Sequence, residues 1–519
     1  MSTRFATGWL RLSLVSFLAL GSCATVQSVP APQGAPAVLG DSPSRAAGSG
    51  ALSRLEAAVN ANLELGGDEE TALAVAPFNP QLVAVAYHRR VAGVEGVPVA
   101  VRVSTDGGLS FGPEALTPVF SASGQTWLSG GDPSIAFDAA GTLYLVNLVI
   151  VGFGGGDGPN SFEVVRWRYS APANSAPALV EPLLVSAAVD PNQGCDKPHI
   201  AIDVWPTSPF VGNHYISWSR IGAGSNIVAT FVASTGQWRA VIFPPRAPNQ
   251  DTIWGIETAV GPSSAAPWEP QFHGVVYVAY FLGHSSNLNV GEVRFLSSHD
   301  GGLTFTASTS HPFPQGSAGT EQQQDLHHGI RTRNFGSALP RVLADPLTPG
   351  RVHVVSCDDP DNLKSNGDHS QIVMATSTDF GATFSAPITV SFESGPGAEE
   401  PLVDIMPSAA LDPITGIIAV SWYRQSAVPN PFGLIRLDRV VAFSVDGGQS
   451  FLPAITISDS PFDPHRGLGT PPNGGSVFAC GEFQGLGMFD GKLYSSFTGN
   501  TFDQSGAIDG YQTIFDIFP

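Results

Sequence analysis

Three observations in the amino-acid sequence predict an all-β chain closed into a single β-propeller of four-stranded blades. An octet of the form S-x-D-x-G-x-[ST]-F occurs four times, at 104–111, 298–305, 377–384 and 444–451. A short alternating strand string occurs seven times, at intervals of roughly 60 to 80 residues. The composition, with 58 Gly and 43 Pro in 519 residues and only 13% charged residues, suits many short strands joined by turns.

The chain opens with MSTRFATGWLRLSLVSFLALGSC, in which Arg4 and Arg11 precede an apolar run from Leu12 to Leu20. This reads as an export signal over residues 1–22. Leu20-Gly21-Ser22-Cys23 resembles a bacterial lipobox, which implies cleavage before Cys23 and diacylation of its thiol; Ala24 at the next position points to an outer-membrane or cell-surface anchor. No later run approaches the roughly 20 apolar residues of a membrane span, so the membrane contact expected is the lipid anchor alone. Residues 23–53 are Ala, Pro, Gly and Ser with little periodicity and read as a flexible tether, leaving 54–519 for the propeller.

The seven copies of the inner string begin at Thr71, Pro133, Pro198, Thr258, Pro340, Pro407 and Phe483. Each is followed by a second strand rich in aromatic and β-branched residues, such as LVAVAYH, HYISWSR and IIAVSWYR. Four such strands per repeat, packed blade against blade, hide the strand edges. Seven blades are favoured, and a six-bladed ring is the alternative should a weak copy be an insertion. The last copy supplies three strands, so the 55–65 region is expected to add the fourth and close the ring. The octets lie between the third and fourth strands, where Gly takes the left-handed conformation and the carboxylates of Asp106, Asp300, Asp379 and Asp446 accept turn N–H groups. These four aspartates are therefore read as structural.

The connections that enter each first strand and leave each second strand share one face, opposite the octets. Just before the first strands stand Glu70, Asp132, Lys197, Glu257, Leu339, Met406 and Glu482, with Asp196 and Asp404 close by. Carboxylates gathered round an axis repel unless they bind a cation, pair with a base or retain protons. Glu70, Asp196 and Glu482 are accordingly the candidate metal ligands, for a structural Ca2+; no other cofactor is expected. Just after the second strands come Arg89 and Arg90, Arg220 and Arg424, which together with Arg341 are the candidate ligand-binding residues, since guanidinium forks suit carboxylates. Pairing of these arginines with the nearby acids is the competing reading. A long connection carrying Glu321 to Arg333, with His327 and His328, is expected over the same face.

The net charge of -20, with three Lys among 24 basic residues and no basic run, excludes nucleic acid as a partner. Cys195, Cys357 and Cys480 are an odd set in an exported body, so at least one has no partner within the monomer, and structural roles are expected for all three.

The octet resembles the Asp-box, or bacterial neuraminidase repeat, of sialidase-like β-propellers. Cys195-Asp196-Lys197-Pro198, the 213–220 stretch NHYISWSR and Gly481-Glu482-Phe483 extend that resemblance across most of the exported body, to lipid-anchored bacterial proteins of the sialidase and BNR-repeat type. The resemblance implies an exo-acting retaining hydrolase with three arginines on the ligand, a Tyr nucleophile paired to Glu, and an Asp acid. Tyr423, Glu257 and Asp132 are the residues it suggests for those roles. The family's Arg-Ile-Pro string is absent, and Gly67-Asp68-Glu69-Glu70-Thr71 stands in its place. The expectation is thus a propeller that binds an extracellular glycan or protein on its axial face, with hydrolysis of terminal acidic sugars as the alternative.

Overall fold

The computed structural model describes residues 70–516 except 90–95, 123, 152–161, 171–176, 191–193, 222–224, 244–252, 263–273, 285–286, 319–338, 359–369, 392–403, 426–436, 459–460, 462–482 and 500–508. The chain divides into two units, Met1–Ser49 and Gly50–Pro519, and every described residue belongs to the second. The lipidation position Cys23, the expected closing strand at 55–65, Arg90, Glu482, Cys480 and the 321–333 connection lie outside the described residues. Among the described residues, no helix is long and apolar enough to cross a membrane.

The described residues form an all-β propeller of seven antiparallel sheets in chain order. Their innermost strands are Thr71–Ala76, Gln125–Phe137, Gly194–Ile202, Ile253–Pro262, Arg341–Ala344, Asp404–Leu411 and Gly485–Phe489. All seven copies of the inner string thus lie in or overlap innermost strands. Outward from each, the next strands pair in sequence, as His214–Ile221, Ser225–Val232 and Gln237–Phe243 do in the third sheet. The second sheet adds Phe120–Ala122 beside its inner strand, the fourth adds Phe313–Ala318, and the seventh has three strands.

Each pair of neighbouring sheets encloses an apolar layer, because alternate side chains of a strand point to opposite faces. Trp127, Trp167 and Val101 lie between the first and second sheets, Trp218 and Ile216 between the second and third, and Tyr215 and Val278 between the third and fourth. Phe281 and Phe295, then Trp422 and Val355, then Phe443 and Leu493 fill the next three. The circle closes where Val83 of the first sheet meets Tyr494 of the seventh. That last layer is small, and hydrogen bonds supplement it. Thr71 N–H donates to Phe483 O at 3.0 Å, and Thr71 Oγ1 donates to Ser496 O at 2.8 Å. Gly485 lies so close to the first sheet that an added Cβ would sit 2.6 Å from both N and Cβ of Leu73.

The cysteines are packing residues. Cys195 and Cys357 are buried in different layers, and the Cys357 thiol donates to Asp404 O.

Candidate functional site

The inner strands of the second, third, fourth and sixth sheets start earlier than the alternating string suggests, and each contains a register shift near its start. At this bulge the backbone turns left-handed: φ is 54° at Asp132, 52° at Lys197, 60° at Gly255 and 56° at Met406, and Glu70 has 52° at the entry to the first sheet. A non-glycine residue held this way costs roughly 1–2 kcal/mol. In the fourth sheet the special position belongs to Gly255, whose added Cβ would lie 1.9 Å from Leu339 Cδ2. Glu257, expected at that position, is two residues further into the strand, because the extra bulge residue displaces it.

The entry to the first sheet and the bulges of the second and third bring Glu70, Asp132 and Lys197 together, with His88 and Asp196 beside them. Lys197 Nζ is 3.4 Å from Asp132 Oδ2 and 4.0 Å from Glu70 Oε1. The Asp132 N–H donates to His88 Nε2 at 2.7 Å, so that nitrogen carries the lone pair and His88 is neutral there. Glu70 Oε2 lies 3.2 Å from the same nitrogen. Burial above all, followed by the charge of Glu70, raises the pKa of Asp132 against the opposing pull of Lys197. Asp196 is pushed up to about 7, chiefly by burial, with Asp132 and Glu70 adding to the rise and Lys197 opposing it.

Glu70, His88 and Asp132 place ligand atoms within 4.8 Å of one another, which is close enough to enclose an ion. The donor set suits Ca2+ poorly: calcium takes six to eight oxygens, the Lys197 ammonium already balances the carboxylates, and the His88 lone pair accepts an amide.

A second group lies on the neighbouring sheets. Glu257 Oε2 accepts from Arg341 Nη1 at 3.0 Å, Glu257 Oε1 accepts from the Val342 N–H at 2.9 Å, and Arg341 Nε donates to Pro407 O at 2.9 Å. The Phe483 ring of the seventh sheet joins the two groups, with Lys197 Nζ 5.2 Å and Arg341 Cζ 5.7 Å from its centroid. One aromatic ring therefore touches cations from the third and fifth sheets, which only the centre of the ring of sheets allows.

The remaining expected residues occupy other settings. Arg220 holds Asp190 through two hydrogen bonds of 2.6 and 3.0 Å, and Arg424 holds Asp404 through bonds of 2.8 and 2.9 Å. Arg89 lies 3.7 Å from Glu114. These three guanidiniums share no partner among the described contacts. The Tyr423 hydroxyl is 2.7 Å from Gln484 Oε1 and 2.8 Å from Thr498 O, and accepts from the Thr498 N–H at 3.0 Å. It is fully buried and ties the sixth sheet to the seventh. Among the described contacts Glu257 pairs with Arg341 rather than with Tyr423. Arg439, which sequence reasoning missed, is also fully buried, stacks 4.6 Å from the Tyr423 ring and donates to Met406 O and Ser408 Oγ. Its third-strand position carries no sequence signal of burial.

On the opposite face the four octet aspartates close their own turns. Asp106, Asp300, Asp379 and Asp446 each accept from the N–H four residues on at 2.8 to 3.0 Å and from that residue's hydroxyl at 2.5 to 2.6 Å. Burial acts to raise these carboxyls, but the hydrogen bonds outweigh it and hold all four below the ordinary range.

No family model and no curated protein sequence matches the chain. Among solved structures it is similar to a Dyadobacter fermentans protein of unknown function, at 12% identity over 88% of this chain and 96% of that one, with a TM-score of 0.42. It is similar to the Trypanosoma rangeli sialidase in complex with the inhibitor DANA, at 10% identity over 87% of this chain and 55% of that one, TM-score 0.41. The phage phi92 endosialidase gives 11% identity over 88% and 68%, TM-score 0.44. Likeness at these levels carries no argument about activity. The propeller rests on this chain's own sheet order and closed circle of apolar layers.

Proposed function

We propose that this chain is an exported, lipid-anchored propeller that binds an extracellular glycan through its axial face. The observation that supports it is the convergence on Phe483 of Lys197 and Arg341, each pre-paired with a carboxylate, from separate sheets. Fixed acid–base pairs offer donors and acceptors in rigid geometry to hydroxyl groups, and the buried Phe483 ring holds the two cations in place. Export and the anchor are supported by the 1–22 signal and Cys23 alone. Binding is tested by calorimetry against a panel of oligosaccharides and peptides with the parent, Arg341→Ala and Phe483→Ala. The expected result is glycan binding lost in both variants with folded circular-dichroism spectra retained. Binding of peptides alone, or glycan binding unaffected by either change, would overturn the proposal.

One observation favours a hydrolytic version of the same site. The Asp132 carboxyl is buried and its pKa is raised, by burial first and then by the charge of Glu70, which is the direction a general acid needs. Turnover of a fluorogenic glycoside that disappears in Asp132→Asn would establish it; a panel with no turnover in the parent leaves binding as the function.

A further inference from the structure

We infer that the axial face selects an uncharged, hydroxyl-rich glycan and rejects sugars bearing a carboxylate. This rests on the glycan-binding reading and names the class of ligand for that site. The argument is one of charge already spent. Six of the described cations at or near the strand ends of this face each have an acid of their own, and a seventh, Arg439, is fully buried against the Tyr423 ring and donates to Met406 O and Ser408 Oγ. Lys197 has Asp132 at 3.4 Å, Arg341 has Glu257 at 3.0 Å, and Arg89 has Glu114 at 3.7 Å. Arg294 is paired with Glu292. Arg220 and Arg424 hold Asp190 and Asp404 with both arms of their forks.

An acidic sugar would have to expel one of these carboxylates. Asp404 is 3% exposed and also accepts from Trp422 Nε1 at 2.6 Å, so its release would leave a buried charge with a broken network. Glu70 Oε1 lies 4.0 Å from the same Lys197 ammonium that Asp132 approaches at 3.4 Å, so two carboxyls face that one cation and an approaching anion meets no excess of positive charge there. A neutral sugar meets no such penalty. Its hydroxyls can donate to the outer lone pairs of carboxylates that remain paired, and the ion pairs hold those acceptors in place.

The test is a matched set of oligosaccharides whose terminal residue differs only at C6, as galactose against galacturonate or glucose against glucuronate, titrated into the full chain at low and high salt. The neutral member is expected to bind at least about tenfold tighter, with affinity nearly independent of salt. Asp190→Asn should release Arg220 and raise uronate affinity about tenfold, with little change for the neutral partner. Asp404→Asn should act likewise through Arg424, and the more exposed Asp190 carries the test if that variant does not fold. Tighter binding of the uronate by the parent, weakening with salt, would overturn the inference while leaving glycan binding intact. Binding of neither member sinks both.

Discussion

Asp196 has a predictable cost in the folded protein. Its carboxyl is held at about 7 against an ordinary value near 3.8, with burial the main cause and the neighbouring Asp132 and Glu70 contributing. The folded chain therefore keeps a proton that the unfolded chain gives up, and stability must fall as pH rises from about 4 to about 7, then level off. A difference of about 3 pH units at 1.36 kcal/mol each amounts to a loss on the order of 4 kcal/mol above pH 7. Asp196→Asn removes the titration and keeps the side-chain oxygen that accepts the Lys197 N–H at 3.0 Å. The variant should match the parent near pH 4 and exceed it by a few kcal/mol at pH 8, a large fraction of a typical domain's 5–15 kcal/mol. Urea unfolding followed by tryptophan fluorescence at half-unit steps from pH 4.5 to 8.5 measures this directly. Parallel pH profiles for the two proteins, or a variant weaker than the parent at pH 8, would show that Asp196 is ionised and satisfied in the folded state.

Two further outcomes follow from the closure of the ring. Gly485→Ala places a methyl 2.6 Å from the Leu73 backbone nitrogen, which cannot rotate away, so a loss of about 1–3 kcal/mol is expected in thermal melts. The same change should weaken glycan binding, since it moves the strand that Phe483 precedes. Tyr423→Phe removes a hydroxyl that meets Gln484 and both backbone groups of Thr498, and should cost about 1–3 kcal/mol while leaving affinity within twofold. A large drop in activity or affinity with stability unchanged would instead give that hydroxyl a chemical role.

How much of this could be read beforehand depends on how local each feature is. The inner strings were legible because their punctuation is local. The aspartates that end four of them, Asp138, Asp203, Asp345 and Asp412, each accept an N–H two residues on, so strand and turn are written together. The octets are legible for the same reason, since the described hydrogen bonds of each aspartate's carboxylate stay inside its own eight residues. The partners of Arg220 and Arg341 are not local: Asp190 is 30 residues from Arg220, and Glu257 is 84 residues from Arg341. The bulges are harder still, since one extra residue decides whether Glu257 or Gly255 takes the left-handed place, and no alternating pattern records it.

Ring and site are nevertheless one construction. Thr71, whose N–H and hydroxyl fasten the first sheet to the last, directly follows Glu70 of the carboxyl cluster. The carbonyl it binds belongs to Phe483, whose ring lies against Lys197 and Arg341. The two ends of the propeller therefore each deliver a site residue at the seam itself. A propeller whose seam opened would lose the acid at one side of Lys197 and the ring at the other, and the remaining ion pairs would surround no common point. Closure in this chain does more than remove the last strand edge, because it brings the first and last contributors of the axial group into contact.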